Sequence, residues 1–286
     1  MPSADLFRRF IFEHSQIRGA WVHLSNSFAE VAGQADYSNA ARQLLGESLC
    51  ASVLMSSTLK FEGLLSIQAR GQGGPVSTLL AECTHDRFIR GIVRGDSSAT
   101  AGGERMSDLL GHGQMVITIT PEEGQRYQGI VPMEMDRLSG CLQDYFERSE
   151  QLDTMLVLQA DEDRAAGFML QKLPEDENAD PDLWNRICKL TETLSRDELL
   201  DLDSETIIRR LFHEEQVRLF EPSEVAFRCS CSRARTLAAL ESIGRKECYD
   251  ILEEQGSIEM DCQFCHARYH FLRADIDQLF GGQSLH

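Results

Sequence analysis

Four cysteines near the C-terminus have the residue type and spacing best suited to chemistry. They form a C-x-C pair, Cys229 and Cys231, and a C-x-x-C pair, Cys262 and Cys265, with thirty residues between the pairs. Zinc prefers four ligands at tetrahedral corners, and thiolate sulfur at about 2.3 Å suits it well. One loop brings two such pairs together at modest entropic cost, because the cost of closure grows slowly with loop length. The spacing therefore predicts one four-thiolate zinc centre.

The spacing alone leaves several interpretations of these cysteines open. The zinc could be purely structural; it could be redox-active, because the two C-x-C thiols can leave a metal as a disulfide; or the four thiols could be unrelated. Cys262 to His266 also match the C-x-x-C-H pattern of covalent haem attachment. That chemistry normally follows export, and the first fifteen residues contain no apolar stretch of signal-peptide length. Haem would also leave the C-x-C pair without a role, so we disfavour it.

Composition bounds the class of protein. The chain has 286 residues, enough for one sizeable core domain with smaller appendages, and 42% hydrophobic and 26% charged residues, as in ordinary soluble proteins. No run of eighteen apolar residues occurs, so we expect no membrane span. Nine cysteines without a secretory signal predict a cytoplasmic protein whose thiols bind metal or react.

Charge excludes one class of partner. The formal net charge is −18, whereas phosphate binding requires a basic face, so no nucleic-acid partner is expected. Residues 175–227 carry 15 acidic and 6 basic side chains, a net charge of −9. Residues 228–286 carry 9 acidic and 7 basic side chains, a net charge of −2. The cysteine-containing segment therefore lacks the basic excess of a typical nucleic-acid zinc ribbon.

Residues 1–174 predict an α+β core domain. Its centre is a long apolar helix over about 38–59, with small and large residues on a helical period. Short spacing and Gly, Pro and Asp punctuation predict antiparallel strands around this helix. The strands are expected at 6–12, 17–24, 63–68, 76–83, 88–94, 114–120, 127–132, 155–159 and 167–171, with a further helix at about 136–151.

The core domain shows no catalytic constellation, and we expect no enzyme. Its Gly-rich segment from Gly71 to Pro75 lacks the lysine and the following helix of a phosphate-binding loop, which favours a hairpin turn. The histidines are scattered, and neither G-x-S-x-G nor H-E-x-x-H occurs.

Residues 175–227 predict an acidic, metastable helical linker. Helices are expected from Pro181 to Leu194 and from Ser204 to His213, with Asp180 and Ser204 as N-caps. About fifty residues of high acidity cannot bury a robust core alone, so the linker must depend on its neighbours. Residues 228–286 form a third, still smaller module. A structural zinc contributes roughly 10–16 kcal/mol of apparent binding free energy, so loss of the metal is expected to unfold this module.

Several motifs together resemble one known family. These motifs are Cys229-Ser-Cys231 with Cys262-Gln-Phe-Cys265, Gly74-Pro75 through Ala81-Glu82-Cys83, Tyr127-Gln128-Gly129-Ile130-Val131, and Asp144-Tyr145-Phe146-Glu147-Arg148-Ser149-Glu150-Gln151. With them the chain resembles the heat-shock protein 33 family, the redox-regulated holdase chaperones of the bacterial cytosol, from its first strands to Phe271.

The resemblance implies a mechanism for this chain. It implies one zinc per chain in a reduced, inactive form, and an oxidised form with Cys229–Cys231 and Cys262–Cys265 disulfides that has lost the metal. It further implies that the zinc module and the linker then unfold, that unfolded client proteins bind without ATP, and that the oxidised form dimerises. A constitutive zinc-ribbon adaptor with purely structural zinc is the alternative, and a thiol oxidoreductase is a third class, disfavoured because no thioredoxin-like βαβ context surrounds the C-x-x-C pair.

Two features depart from the family pattern. His266 stands where the family more often has a glycine, and we interpret it as a surface imidazole rather than a competing ligand. Cys248 lies between the two ligand pairs and offers alternative disulfides. The remaining cysteines lie among apolar residues, and we interpret them as small buried hydrophobes: Cys50, Cys83, Cys141 and Cys188.

Overall fold

The nine strands and four helices that the sequence patterns predict form at or near their predicted positions. The computed structural model describes residues 5–59, 62–96, 105–174 and 180–281. Two compact units are found, one ending at Arg228 and one beginning at Cys229. The described elements of the first unit are β1 (Leu6–Phe12), β2 (Ile17–Leu24), α1 (Asn26–Ala32), α2 (Asn39–Ser56), β3 (Gly63–Gly73), β4 (Val76–Thr84), β5 (Phe88–Gly95), α3 (Met106–Leu110), β6 (Gly111–Pro121), β7 (Tyr127–Pro132), α4 (Leu138–Tyr145) with a π-helical turn (Phe146–Glu150), β8 (Thr154–Ala160), β9 (Ala165–Lys172), α5 (Leu183–Thr191), α6 (Arg196–Asp201), α7 (Ser204–Leu211), β10 (Val217–Leu219), β11 (Ser223–Glu224) and β12 (Ala226–Phe227).

Two sheets enclose the helix α2. The first sheet has the strand order β10-β1-β2-β9-β8, with β11 also paired to β1, and the second has the order β12-β5-β4-β3-β6-β7. Every described pair in these sheets is antiparallel except β12 beside β5. The prediction of antiparallel sheets around a central helix is confirmed. The hairpin at Gly71 is also confirmed, although β3 continues through Gly73 before the chain turns.

Small residues let α2 pack on both sheets at once. The side chain of Ser38 caps the helix by accepting the backbone N–H of Ala41 at 3.3 Å. A Cβ atom at Gly46 would lie 2.9 Å from the Cβ atoms of both Ala160 and Ala165, so only glycine fits at this crossing. The buried hydroxyl of Ser48 donates to the carbonyl of Leu44 within the helix, so this polar group is satisfied in the core.

The first sheet is buried on both faces. Side chains of a strand alternate between faces, so Phe7 and Val22 lie in the core with α2, whereas Phe10 and Trp21 point to the opposite face. That second face is covered by the helices α5, α6 and α7, which we call the helical layer. The buried residues that the layer contributes are Leu183, Ile187, Leu199, Leu200, Ile207, Ile208, Leu211 and Phe212.

Two helices of the layer, α5 and α7, were predicted and need corrections at their starts, whereas α6 (Arg196–Asp201) was not predicted. Helix α5 begins at Leu183, and Asp180, predicted as its N-cap, instead accepts the backbone N–H of Asp182 at 2.9 Å in the preceding turn. Helix α7 is capped by Asp203, which accepts the N–H of Thr206 at 2.9 Å, and not by Ser204. Both aspartate and serine make good caps, and sequence alone does not decide between adjacent candidates.

The chain returns to both sheets after the helical layer. β10 and β11 pair with β1, and β12 pairs with β5, so residues 217–227 connect the layer to the core strands. The predicted boundary after residue 174 adjoins residues 175–179, which lie outside the described residues. Within the described ranges, no helix is long and apolar enough to cross a membrane.

Candidate metal centre

The second unit is a small module built around the four predicted cysteines. Its described elements are α8 (Arg233–Ile243), α9 (Arg245–Gln255), β13 (Ile258–Asp261), β14 (Arg268–Phe271) and α10 (Arg273–Gly281). Strands β13 and β14 form an antiparallel hairpin. The buried apolar core holds Leu240, Cys248, Leu252, Ile258, Phe271, Ile276 and Phe280. A core of this size is small for independent folding, since below about 70–80 residues a single hydrophobic core rarely supplies more than about 3–5 kcal/mol.

The four predicted cysteines converge on one point of this module. The Sγ atoms of Cys229 and Cys262 lie 3.5 Å apart, and those of Cys231 and Cys265 lie 3.4 Å apart. All four sulfurs lie within 4.8 Å of one another. Four sulfurs bound at about 2.3 Å around a tetrahedral ion would lie roughly 3.8 Å apart. The donor set and its spacing therefore fit a four-thiolate metal ion.

Two local structures present these sulfurs. The C-x-C pair lies directly before α8, whose first turn is capped by the Ser232 side chain. The C-x-x-C pair lies in the turn between β13 and β14, where the backbone N–H of His266 donates to the carbonyl of Cys262 at 2.8 Å. His266 has a φ of +53°, the left-handed conformation that glycine adopts most easily. Its side chain is exposed and lies outside the four-cysteine cluster, as expected for a surface imidazole.

A tyrosine that the sequence did not single out contacts the cluster. The Tyr269 hydroxyl, on β14, donates to the Cys231 sulfur at 3.1 Å. Burial acts to raise the pKa of the Cys231 thiol, but the hydrogen bonds from Tyr269 and the neighbouring thiols outweigh it and lower that pKa to about 7. The same contact raises the pKa of Tyr269 to about 12. The sequence offers one signal for this contact, an aromatic residue on the strand that follows the second cysteine pair.

Two further thiols of the cluster have their pKa shifted in the opposite direction. Burial raises the pKa of Cys229 and of Cys265. Closely spaced thiols cannot all ionise without a compensating cation, so the first thiolate to form disfavours the others. A bound divalent cation reverses this balance, because metal coordination favours the deprotonated thiol. The electrostatics of the cluster are therefore those of a cation site.

The remaining cysteines are separate from the cluster. Cys50, Cys83 and Cys141 are buried in the core around α2, as predicted. Cys248 is fully buried in the core of the small module, where its thiol contacts the carbonyl of Leu240. The interpretation of Cys188 as a buried residue is wrong, since it is half-buried in a surface cavity beside α5. Helix α5 directs Ile187, and not Cys188, into the sheet.

Comparison with known proteins identifies the family. The family model described as Hsp33 protein matches residues 5–272. The chain belongs to the Hsp33 family. The 33 kDa chaperonin of Pseudomonas paraeruginosa is 46% identical over 99% of this chain and 96% of its own length. That of Pseudomonas fluorescens is 45% identical over 100% of this chain and 96% of its own length. The crystal structure of the 33 kDa chaperonin from Thermotoga maritima has the same fold, with a TM-score of 0.84 at 22% identity, covering 97% of this chain and 98% of its own.

Membership of the Hsp33 family confirms the broad predictions from sequence. The chain is a non-enzymatic chaperone of the holdase type with a four-cysteine site, and the α+β fold with a C-terminal cysteine module is confirmed. The identity of the metal, the disulfides and the regulation are developed below as proposals.

Proposed function

We propose that this chain is a redox-regulated, ATP-independent holdase that is inactive when reduced and zinc-bound and that binds unfolded proteins when oxidised. The observation that carries the proposal is the convergence of Cys229, Cys231, Cys262 and Cys265 within 4.8 Å, in a module with only a small apolar core. Such a module depends on its ligands for stability, so a chemical change at four sulfurs changes the fold.

Zinc is the ion that this donor set favours. Four thiolates in a tetrahedral arrangement are typical of a structural zinc site, one ion per chain. When bound, zinc would keep the thiolates deprotonated and contribute roughly 10–16 kcal/mol of apparent binding free energy to folding of the module. The module's own packing is limited to the residues around Phe271 and Leu240. We therefore propose that the reduced module is folded only when the four cysteines hold the metal.

Oxidation by a peroxide converts these ligands into disulfides. A thiolate attacks one peroxide oxygen, an S–O bond forms, the O–O bond breaks, and the departing hydroxide takes a proton to become water. A second thiolate attacks the sulfenic sulfur, an S–S bond forms, and the oxygen leaves as a second hydroxide, which becomes water. The pairs we propose are Cys229 with Cys231 and Cys262 with Cys265, the pairs adjacent in sequence. Each disulfide removes two ligands from the metal site.

Unfolding of the module reaches the helical layer through the chain itself. Cys229 follows the end of β12 at Phe227 by two residues, and β10, β11 and β12 are only two or three residues long. We propose that these short strands separate first and that α5 to α7 then leave the sheet. The apolar face that this exposes includes Phe10, Trp21 and Phe168. Exposed apolar surface of this kind binds unfolded clients.

The charge of the segment that contains the helical layer suits the binding of unfolded clients. Residues 175–227 carry 15 acidic and 6 basic side chains, so the released segment remains solvated while its apolar residues are exposed. We propose a cytoplasmic protein whose partners are unfolded clients and, in the oxidised form, a second copy of the chain. The net charge of −18 opposes a nucleic-acid partner.

The test compares the two redox forms of the full chain. Zinc content is measured in reduced and peroxide-treated protein, together with light scattering from a heat-denatured client. Suppression of aggregation only after oxidation, with release of about one zinc per chain, supports the proposal. Cys188→Ser, which alters a half-buried cysteine outside the cluster, serves as the matched control and is expected to behave as wild type. Absence of suppression in both forms, with zinc retained, favours the constitutive zinc-ribbon adaptor.

A further inference from the structure

A cavity of about 300 Å³ lies where helix α6 of the helical layer meets the core around α2. Its walls come from α2, α3, the start of α4, the end of β8 and α6, and we call it the Glu47 cavity. Sites for small molecules have volumes of this order and combine apolar walls with a few polar groups. The lining residues on which the site depends are apolar Leu44, Leu109 and Leu138 and charged Glu47, Arg137 and Arg196.

Glu47 brings an unpaired carboxylate into this cavity. It extends from the middle of α2, and the protein surrounds it so closely that burial raises the pKa of its carboxyl to about 7. The cavity nevertheless reaches the side chain, which stays partly accessible. Among the described residues, no hydrogen bond or ion pair to this carboxylate is found. A deeply placed carboxylate without a partner is costly, because nothing replaces the water that it loses.

Two arginines supply positive charge at the same cavity. Arg137, at the start of α4, and Arg196, the first residue of α6, act to lower the pKa of Glu47, although burial outweighs them. Both arginines are exposed, and within the described part of the chain neither forms an ion pair with a carboxylate. Nη2 of Arg196 donates to the Ala160 carbonyl at 2.8 Å, which fixes its guanidinium beside the end of β8. The cavity therefore has a negative group at depth and two positive groups at its rim.

We propose that the Glu47 cavity binds a small zwitterion, an α-amino acid with an apolar side chain, and that this ligand holds α6 on the core. The ammonium of the ligand pairs with Glu47, its carboxylate pairs with Arg137 and Arg196, and its side chain lies against the leucines of the wall. A simple anion leaves Glu47 unpaired, and a simple cation leaves both arginines unpaired. A ligand that carries both charges satisfies all three groups.

Binding in this cavity stabilises the docked helical layer. Arg196 belongs to α6, whereas Glu47 belongs to α2, so the ligand joins the layer to the core and is lost when α6 leaves. A ligand that binds only the docked form lowers the undocked fraction by one plus the ratio of its concentration to Kd, or about elevenfold at ten times Kd. This consequence rests on the proposed release of the layer, whereas the binding itself does not.

The test measures binding of L-leucine to the full, reduced, metal-loaded chain by isothermal titration calorimetry. Two analogues of leucine separate its charges, because isoamylamine lacks the carboxylate and isocaproate lacks the ammonium. Glu47→Gln and Arg137→Gln each remove one charge from the cavity and keep a polar side chain. Glu30→Gln is the matched control, because Glu30 is an exposed residue of α1 outside the cavity. Amide exchange of residues 183–211 is then measured with and without L-leucine at about ten times Kd.

L-leucine is expected to bind saturably, with one molecule per chain. Either analogue, and either cavity variant with L-leucine, is expected to bind about tenfold more weakly or worse, whereas Glu30→Gln binds as wild type. Exchange of residues 183–211 is expected to slow about elevenfold in wild type. Absence of binding, equal binding of an analogue, or wild-type affinity in both Glu47→Gln and Arg137→Gln overturns the site. Binding without slower exchange overturns the claim that the ligand holds α6. Because the protein stays reduced throughout, none of these results depends on whether oxidation activates the chain.

Discussion

The helical layer offers the sharpest test of how the fold controls exposure of apolar surface. Ile187 on α5 is fully buried against the first sheet, and Ile187→Ala removes its contacts with that sheet. Deleting such a side chain costs about 3 kcal/mol. Helices α5, α6 and α7 have 9, 6 and 8 residues, shorter than the roughly 12–15 residues that an isolated helix needs in water. The layer is therefore expected to undock as a unit.

The expected change in amide exchange rate follows from the equilibrium between the docked and undocked layer. A loss of about 3 kcal/mol raises the undocked population by roughly two powers of ten. Amide hydrogen exchange of residues 183–211, read by mass spectrometry on reduced, metal-loaded protein, is expected to accelerate by that factor relative to α2. We also expect reduced Ile187→Ala to suppress client aggregation without oxidant, because the apolar face of the sheet is then exposed while the cysteines remain reduced.

Ile67→Ala is the matched control for this experiment. Ile67 is also fully buried, but it lies on β3 in the core around α2 and does not contact the layer's cluster. It is expected to lower stability without a selective effect on residues 183–211. Equal acceleration in both variants would refute independent undocking. Faster exchange in Ile187→Ala without suppression of aggregation would refute the assignment of the client-binding surface to this face.

Two further predictions concern the metal and the pH. If the four cysteines hold zinc as proposed, a chelator is expected to unfold residues 229–281 of the reduced protein but leave α2 protected, because a structural zinc contributes roughly 10–16 kcal/mol of apparent binding free energy. Circular dichroism and amide exchange measure this loss, and a metal-free module that stays protected contradicts it. Burial lowers the pKa of His23, whose neutral Nε2–H donates to the Leu200 carbonyl of α6 at 3.1 Å. In the undocked chain the imidazole has its ordinary pKa of about 6.5, so the undocked form binds the proton first. Docking is therefore expected to weaken as the pH falls below that value. Amide exchange of α6 is measured at pH about 7.5 and about 5.5 and corrected for intrinsic rates. Wild type is expected to lose protection of α6 at the lower pH, whereas His23→Gln, which keeps a donor but does not titrate, is not. Equal losses of protection in both proteins would refute the role of His23.

Sequence patterns predicted the parts of the fold that repeat regularly. β3 alternates buried and partly exposed residues from Gly63 to Ala69, and the long α2 follows a helical period with small residues at its crossings. The four cysteines of the candidate metal centre were singled out by residue type and spacing, and the structure brings their sulfurs within 4.8 Å of one another. These signals are local, so they are visible without the tertiary structure.

The remaining features depend on contacts between distant residues. β10, β11 and β12 are two or three residues long, too short to show a period, and the parallel pairing of β12 with β5 has no local signal. The contact between Tyr269 and Cys231 joins residues 38 positions apart through the geometry of the hairpin. The half-exposure of Cys188 follows from which side of α5 meets the sheet, and the neighbouring Ile187 takes the buried position.

The central claim is that oxidation of the four cysteines releases the helical layer from the first sheet. The most direct measurement is amide hydrogen exchange of residues 183–211 in the full chain, reduced and zinc-loaded, then after peroxide treatment, then after reduction with zinc restored. The account predicts protection in the first sample, loss of protection in the second while α2 stays protected, and recovery in the third. Protection of residues 183–211 in the oxidised, zinc-free protein would contradict it.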